Sequence, residues 1–199
     1  AILGSTGSIG KILLNTIQKN KKFFKIILLT ANKDHKTLYS QAKKFRVTNL
    51  IITDEVSYKI LKKKCKKTNI SVYNNFNTLN KIFKKKIDYT MNSIVGFAGL
   101  KPTLEIIKFT KQIAIANKES IICGWNLIKK KSIFNKTKII PIDSEHFSIW
   151  SSLNEFNINS HENLNKLIQN LFITASGGPF RNTPSKNFKD IKINQAINH

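Results

Sequence analysis

Apolar residues in this chain come in short blocks that alternate with segments of helical spacing. Ile2 and Leu3 form an apolar stub, followed by a glycine-rich loop and then by Ile12, Leu13 and Ile17, which share one side of a helix expected near 11–20. The run 24–29, apolar except at Lys25 and bounded by residues 30–34, predicts a strand buried on both faces. The rhythm then repeats. Helices are expected near 36–46, 55–67, 77–86, 101–109 and 119–131, separated by strands at 50–53, 70–73, 89–95, 112–116 and 138–142. Strands alternating with helices imply right-handed crossovers, so the expected fold class is α/β with a doubly wound, mostly parallel sheet.

After Ser144 the rhythm weakens. A helix carrying Phe147, Ile149, Trp150 and Leu153 gives way to an Asn-rich stretch at 154–170, a strand at 171–174 and a Gly-Gly-Pro turn. Residues 1–143 therefore read as one domain and 144–199 as the beginning of a second, truncated one.

Composition narrows the class. With 199 residues, 41% hydrophobic and 23% charged, the chain can bury a core, which excludes a collagenous or wholly disordered polymer. Cys65 and Cys123 are too few and too far apart for a disulfide framework or zinc cluster, and reduced thiols suit a cytoplasm-like compartment. No apolar run approaches the roughly 20 residues of a membrane-spanning helix. The chain opens at Ala1-Ile2-Leu3-Gly4, without a methionine or signal-peptide pattern, and reads as a fragment.

A net charge of +23 would ordinarily direct attention to nucleic acid or an anionic membrane. Here Ile (31), Asn (23), Lys (32) and Phe (13) supply 99 residues, about half the chain. Their codons are built mostly from A and T, so compositional drift accounts for the lysines. The two arginines are Arg46 and Arg181, whereas phosphate and base recognition favours the guanidinium fork. The lysine runs at 62–64, 84–86 and 129–131 close helical patterns, where cations suit the dipole and solvent. They read as solvated faces, with neither nucleic acid nor membrane as a partner.

Against that drift, rare residue types carry information. Three of the eight glycines fall at Gly4, Gly7 and Gly10, a G-x-x-G-x-x-G pattern between a strand and a helix. Glycines there allow a tight turn, close approach of backbone N–H groups to a pyrophosphate and close helix packing. A Rossmann-like dinucleotide site is the expected use. At the end of the second strand, Asn32-Lys33-Asp34 offers a cation for the 2′-phosphate of NADP and a carboxylate that would suit NAD. Asp143 and Glu145, separated by Ser144, stand at the carboxyl end of a strand and can converge on a hard divalent cation. A helix N-cap by Asp143 or Ser144 accounts for them equally well. His146 fits a packed or ligand-supporting histidine better than a ligand. Asn117-Lys118-Glu119 opens another helix, Gly96 and Gly99 flank a close-approach loop, and Ser176-Gly177-Gly178 suits a phosphate.

In this order these segments resemble the 1-deoxy-D-xylulose 5-phosphate reductoisomerase family. The resemblance rests on residues 4–10 (GSTGSIG), Ile94-Val95-Gly96 with Gly99-Leu100, 116–120 (ANKES), 141–146 (PIDSEH) and 176–181 (SGGPFR), and it runs through Gln195-Ala196 to His199. It implies an NADPH-binding domain followed by the start of an α+β catalytic domain, within a chain about twice this length. It also implies reduction and isomerisation of 1-deoxy-D-xylulose 5-phosphate to 2-C-methyl-D-erythritol 4-phosphate, in the non-mevalonate route to isoprenoid precursors, by a homodimer.

By matching motif, Gly4, Thr6, Gly7, Ser8, Ile9 and Gly10 would hold the cofactor's pyrophosphate region, Lys33 would lie near the 2′-phosphate, and Asn117 and Glu119 would touch the cofactor. Asp143 and Glu145 would be two of three carboxylate ligands for magnesium or manganese, with cobalt as an alternative, the third lying beyond this sequence. Lys118, Ser144, Glu145, Ser176 and His199 would contact the sugar phosphate, and Lys118, Asp143 and Glu145 would serve catalysis. Asn32 and Asp34 depart from the glycine and asparagine usual in the family. The rival readings are a semialdehyde- or homoserine-dehydrogenase-like NADP enzyme, which shares the glycine loop but not the Asp-Ser-Glu pair, and a basic nucleic-acid-binding module.

Overall fold

The computed structural model describes residues 1–155, 168–170, 172 and 178–196. Residues Ala1–Ser152 form one compact unit and Leu153–His199 a second. In the first, seven strands run through the sequence as β1 (Ile2–Leu3), β2 (Leu28–Ala31), β3 (Asn49–Ile52), β4 (Ser71–Tyr73), β5 (Ile87–Asn92), β6 (Thr110–Ile115) and β7 (Lys138–Pro141). They make one all-parallel sheet in the order β4-β3-β2-β1-β5-β6-β7. The helices between them are α1 (Ser8–Lys19), α2 (His35–Phe45), α3 (Glu55–Cys65), α4 (Leu79–Ile82), α5 (Leu100–Ile106) and α6 (Lys118–Phe134), and α7 (Ser144–Glu155) follows β7.

Successive strand residues point to opposite faces, and both faces are covered, which explains the continuous apolar runs. Ile2, Leu29, Ala31, Leu50 and Ile52 pack with Leu14 and Ile17 of α1, Leu38 and Ala42 of α2, and Leu61 of α3. Leu3, Leu28, Ile51, Ile113 and Ile115 pack on the other side with Leu100 and Ile106 of α5 and Ile128 of α6. The doubly wound α/β architecture is thus as expected.

Element bounds differ where local pattern and sheet register disagree. The strand expected at 24–29 is instead β2, Leu28–Ala31, preceded by a short 3₁₀ turn, Lys21–Phe23. Its register is set by Leu29 lying opposite both Ile2 and Leu50, so residues 24–27 precede the paired part of the strand and Phe24 stays 53% exposed. The helix expected near 77–86 is a 3₁₀ turn, Phe76–Thr78, followed by the single turn α4, which ends where Phe83 inserts into the core. In the second unit, Arg181 N donates to Gly178 O at 3.3 Å, a 3₁₀ helix spans Ser185–Asp190, and α8 (Ile193–Ala196) follows. The strand expected at 171–174 falls largely outside the described residues.

Candidate functional site

Strand order reverses on either side of β1, and crevices at such switch points, beyond the carboxyl ends of the strands, are where open α/β sheets bind ligands. Leu3, Asn92, Ile115 and Pro141 lie opposite one another in a single row. Gly4, Ser93, Ala116 and Ile142 therefore leave the sheet together. The glycine loop, the 93–99 loop, the start of α6 and the acid pair all stand along this one edge. Two concavities of about 600 and 790 Å³ open among Ile17 near the end of α1 and Phe24, Lys25 and Ile27, which lead into β2 at the opposite end. Chemistry, not size, selects the site.

Each glycine of the loop has its own reason. Gly4 takes φ +75°, and a Cβ there would meet the backbone of Ser93 and Ile94 at 3.0 Å. At Gly10 a Cβ would fall 2.6 Å from Gly4 O and from Ser5 Cα, so its absence lets α1 lie against the strand end. A Cβ at Gly7 would meet no more than Gly4 O at 3.4 Å and Ser93 O at 4.0 Å, so internal packing does not demand glycine there. Gly7 is the N-cap of α1, no side chain caps the helix, and its first turn holds no acid. The amide end of α1, with Ser8 and Ile9 exposed, is suited to an anion that approaches the backbone closely.

Polar side chains outside the motifs hold this loop. Gly4 N donates to Thr30 Oγ1 at 3.0 Å, and Ser93 Oγ donates to Leu3 O at 2.7 Å and Gly4 O at 3.1 Å. Ser5 Oγ donates to Gln41 Oε1 at 2.7 Å, while Gln41 Nε2 donates back to Ser5 O at 2.9 Å. Asn92 Nδ2 reaches Gly99 O at 3.0 Å and Thr103 Oγ1 at 2.6 Å, and its Oδ1 accepts from Ile94 N at 3.1 Å. Motif reading missed Thr30, Gln41, Asn92 and Ser93. A signal existed for one of them: Gln41 sits on the apolar side of α2, between Leu38 and Ala42 in helical spacing.

At the ends of β2 and β3 the ambiguous carboxylate has a local role. Asp34 Oδ1 accepts from Thr37 N at 3.0 Å and caps α2, and that bond holds its pKa below the usual carboxylate value. Asp54 caps α3 through Ser57 in the same way. Asn32 Nδ2 donates to Thr53 Oγ1 at 3.0 Å. Lys33 is exposed, and together with Lys11 it places positive charge around the two capping acids.

Asn117 and Lys118 begin α6. Asn117 is buried, with Nδ2 donating to Ile94 O at 2.8 Å and Oδ1 lacking any partner. Lys118 and Glu119 are exposed in the first turn. Beside them Asp143 precedes α7, and its side chain is only 11% exposed. Its Oδ1 accepts from His146 N at 3.0 Å and lies 2.5 Å from His146 Nδ1, whereas Oδ2 is buried without a partner. Burial raises the Asp143 pKa, but the His146 N–H, ring and charge outweigh it, and the net shift is downward, toward the anion. A helix cap and a cation ligand are therefore not competing roles, because one oxygen of Asp143 does the first and leaves the other for the second. Glu145 follows in the first turn of α7. Ser144 opens that helix, while Ser176 and His199 lie outside the described residues. Among the described residues no group of three potential metal ligands is assembled.

Neither cysteine is placed as a nucleophile at this edge. Cys65 ends α3 with a thiol that burial pushes up, and Cys123 is exposed partway along α6.

Comparison with known proteins bears on the whole arrangement. Residues 1–124 match the family model for 1-deoxy-D-xylulose 5-phosphate reductoisomerase, and 139–199 match that for its C-terminal domain. The chain is 56% identical to the 1-deoxy-D-xylulose 5-phosphate reductoisomerase of Pelagibacter ubique and 39% identical to that of Clostridium botulinum, over all of this chain and 50% and 51% of those proteins. Among solved structures it resembles the Zymomonas mobilis enzyme in complex with NADPH, with TM-score 0.82 and 33% identity over all of this chain and 50% of that one. It also resembles a reductoisomerase in complex with NADPH, fosmidomycin and magnesium, with TM-score 0.82 and 30% identity, again over 100% of this chain and 50% of that one. The chain thus spans about half the length of the curated relatives it matches.

Proposed function

The chain belongs to the 1-deoxy-D-xylulose 5-phosphate reductoisomerase family, and from that premise we propose that it is the N-terminal half of an enzyme that isomerises and reduces 1-deoxy-D-xylulose 5-phosphate to 2-C-methyl-D-erythritol 4-phosphate. Its domains are then a cofactor-binding domain, 1–143, and the beginning of a catalytic domain, 144–199. The observation that carries the reading is the divided carboxylate of Asp143: one oxygen is committed to His146, and the other is buried with nothing to bind.

A buried anionic oxygen without a donor is costly, and a divalent cation compensates it. Asp143 and Glu145 would hold magnesium or manganese, with a third carboxylate from the rest of the enzyme. When bound, the cation supplies Lewis acidity to the substrate's oxygens and NADPH supplies the hydride. His146, by hydrogen-bonding the capping oxygen, keeps the Asp143 carboxylate from rotating. The amides at Ser8 and Ile9 would receive the NADPH pyrophosphate, and the open space at Gly7, whose own N–H is taken by Gly4 O, leaves room for it. Lys33, with Lys11 nearby, would meet the 2′-phosphate, while the Asp34 carboxylate is already engaged as a cap and is not offered to a ribose. Asn117 Oδ1, buried without a partner, would accept a hydrogen bond from the cofactor, with Glu119 beside it. Lys118 would set positive charge against the negative charge that develops on the reacting oxygens. Ser144, Ser176 and His199 would bind the sugar phosphate. We assign the enzyme to the cytoplasm as a homodimer.

The test is NADPH oxidation by the full-length enzyme with 1-deoxy-D-xylulose 5-phosphate and magnesium. Asp143→Asn and Glu145→Gln should each lower turnover at least about 100-fold and leave NADPH binding intact, since even groups that merely orient metal ligands are worth 10- to 100-fold. Unchanged turnover in both variants would remove the assignment.

A further inference from the structure

Gln41 is a buried polar side chain on a helix that carries none of the motifs, and its amide is spent entirely on one residue of the glycine loop. Both of its ends are engaged: Oε1 accepts from Ser5 Oγ at 2.7 Å and Nε2 donates to Ser5 O at 2.9 Å. The amide has only one workable orientation, because a flip would set Oε1 against the Ser5 carbonyl oxygen. Ser5 itself is fully buried, and its N donates to Thr30 O at 2.9 Å. The loop backbone is thus pinned from β2 and, through Gln41, from α2.

What makes this more than packing is where α2 begins. Its first residue, His35, follows directly on the 32–34 turn that carries Lys33, and Asp34 caps the helix. A rigid helix therefore joins the turn that presents Lys33 to the residue that clamps Ser5, two positions before Gly7. Resting on the cofactor reading above, we infer that Gln41 is a positioning residue that holds the glycine loop and the Lys33 turn in register, so that the pyrophosphate and the 2′-phosphate of one NADPH are met together. Neither glutamate nor methionine can replace it, since the first has no donor for Ser5 O and the second has neither donor nor acceptor.

The experiment uses the full-length enzyme and compares wild type, Gln41→Met and the milder Ser5→Ala, which removes one of the two bonds. Dissociation constants for NADPH and NADH, kcat and KM for NADPH, and thermal midpoints are measured for all three. Gln41→Met should weaken NADPH binding about tenfold, equivalent to about 1.4 kcal/mol, with kcat within about twofold of wild type. The preference for NADPH over NADH should shrink, because NADH does not use the Lys33 turn. Ser5→Ala should move the same quantities in the same direction by a smaller factor. A lower midpoint with unchanged NADPH affinity and unchanged NADPH-to-NADH preference in both variants would overturn the inference and leave Gln41 a purely structural residue. Failure of the wild-type enzyme to bind NADPH would instead refute the function on which it rests.

Discussion

Substituting alanine at Gly7 and at Gly10 separates folding from binding within one loop. At Gly10 the added methyl would sit 2.6 Å from Gly4 O, 2.6 Å from Ser5 Cα and 2.8 Å from Ser5 C, all backbone atoms that cannot rotate away. Overpacking of this kind costs about 1–3 kcal/mol, and backbone on every side argues for the upper end. At Gly7 the backbone is already at φ −73° and ψ 172°, open to any residue, and the nearest atom to a new Cβ is 3.4 Å away. Two small terms then oppose each other: alanine is a poorer N-cap than glycine, yet it loses less chain entropy on folding, and each is worth about 0.5–1 kcal/mol. For a chain of this size 1 kcal/mol corresponds to about 2–4 °C. Gly10→Ala should therefore melt about 5–10 °C below wild type, and Gly7→Ala within about 3 °C of it. NADPH titration should give the reverse contrast, since the Gly7 methyl occupies the space left for the pyrophosphate while folding is untouched. Thermal melts and cofactor fluorescence on the same preparations decide it. If Gly7→Ala bound NADPH like wild type, the open space at Gly7 would not be the cofactor's, and the reading of the loop would fail.

Three further substitutions have outcomes set by the same geometry. Asn92→Ala removes a fully buried amide that supports Gly99 O, Thr103 and Ile94 N, so it should cost about 2 kcal/mol or more in denaturant unfolding and raise KM for NADPH by loosening the 93–99 loop. Asp34→Ala should cost about 1 kcal/mol as a lost cap. Because the folded pKa of Asp34 is lowered, that contribution is present above the ordinary value of 3.8 and is lost as pH falls through the folded value, so melts of wild type and variant should converge in acid. Asp34→Asn, which keeps a capping oxygen, should leave both stability and NADPH preference near wild type.

Much of the fold was legible because it is written in local periods. Buried strands read as apolar runs, helices as stripes, and the spacing of Gly4, Gly7 and Gly10 announces a tight turn between strand and helix. The misreadings share one cause. Residues 24–27 are apolar except for Lys25, yet nothing in their own pattern reveals that β1 is two residues long and pairs with Leu29 rather than with them. The acid pair was likewise visible, but its two uses looked like alternatives, since sequence does not distinguish the two oxygens of one carboxylate.

By itself, then, the sequence determined the alternation of elements, from which the parallel sheet follows, together with the glycine loop and the presence of two acids at a strand end, all patterns that local spacing carries. Tertiary structure alone decided that Gln41 grips Ser5 across 36 positions, that Asn92 braces the 93–99 loop, and that Asp143 gives one oxygen to His146 while the other remains buried and unpartnered. The physical reason is that hydrogen bonds between distant segments depend on strand register and helix placement, which the buried core sets and no local pattern encodes.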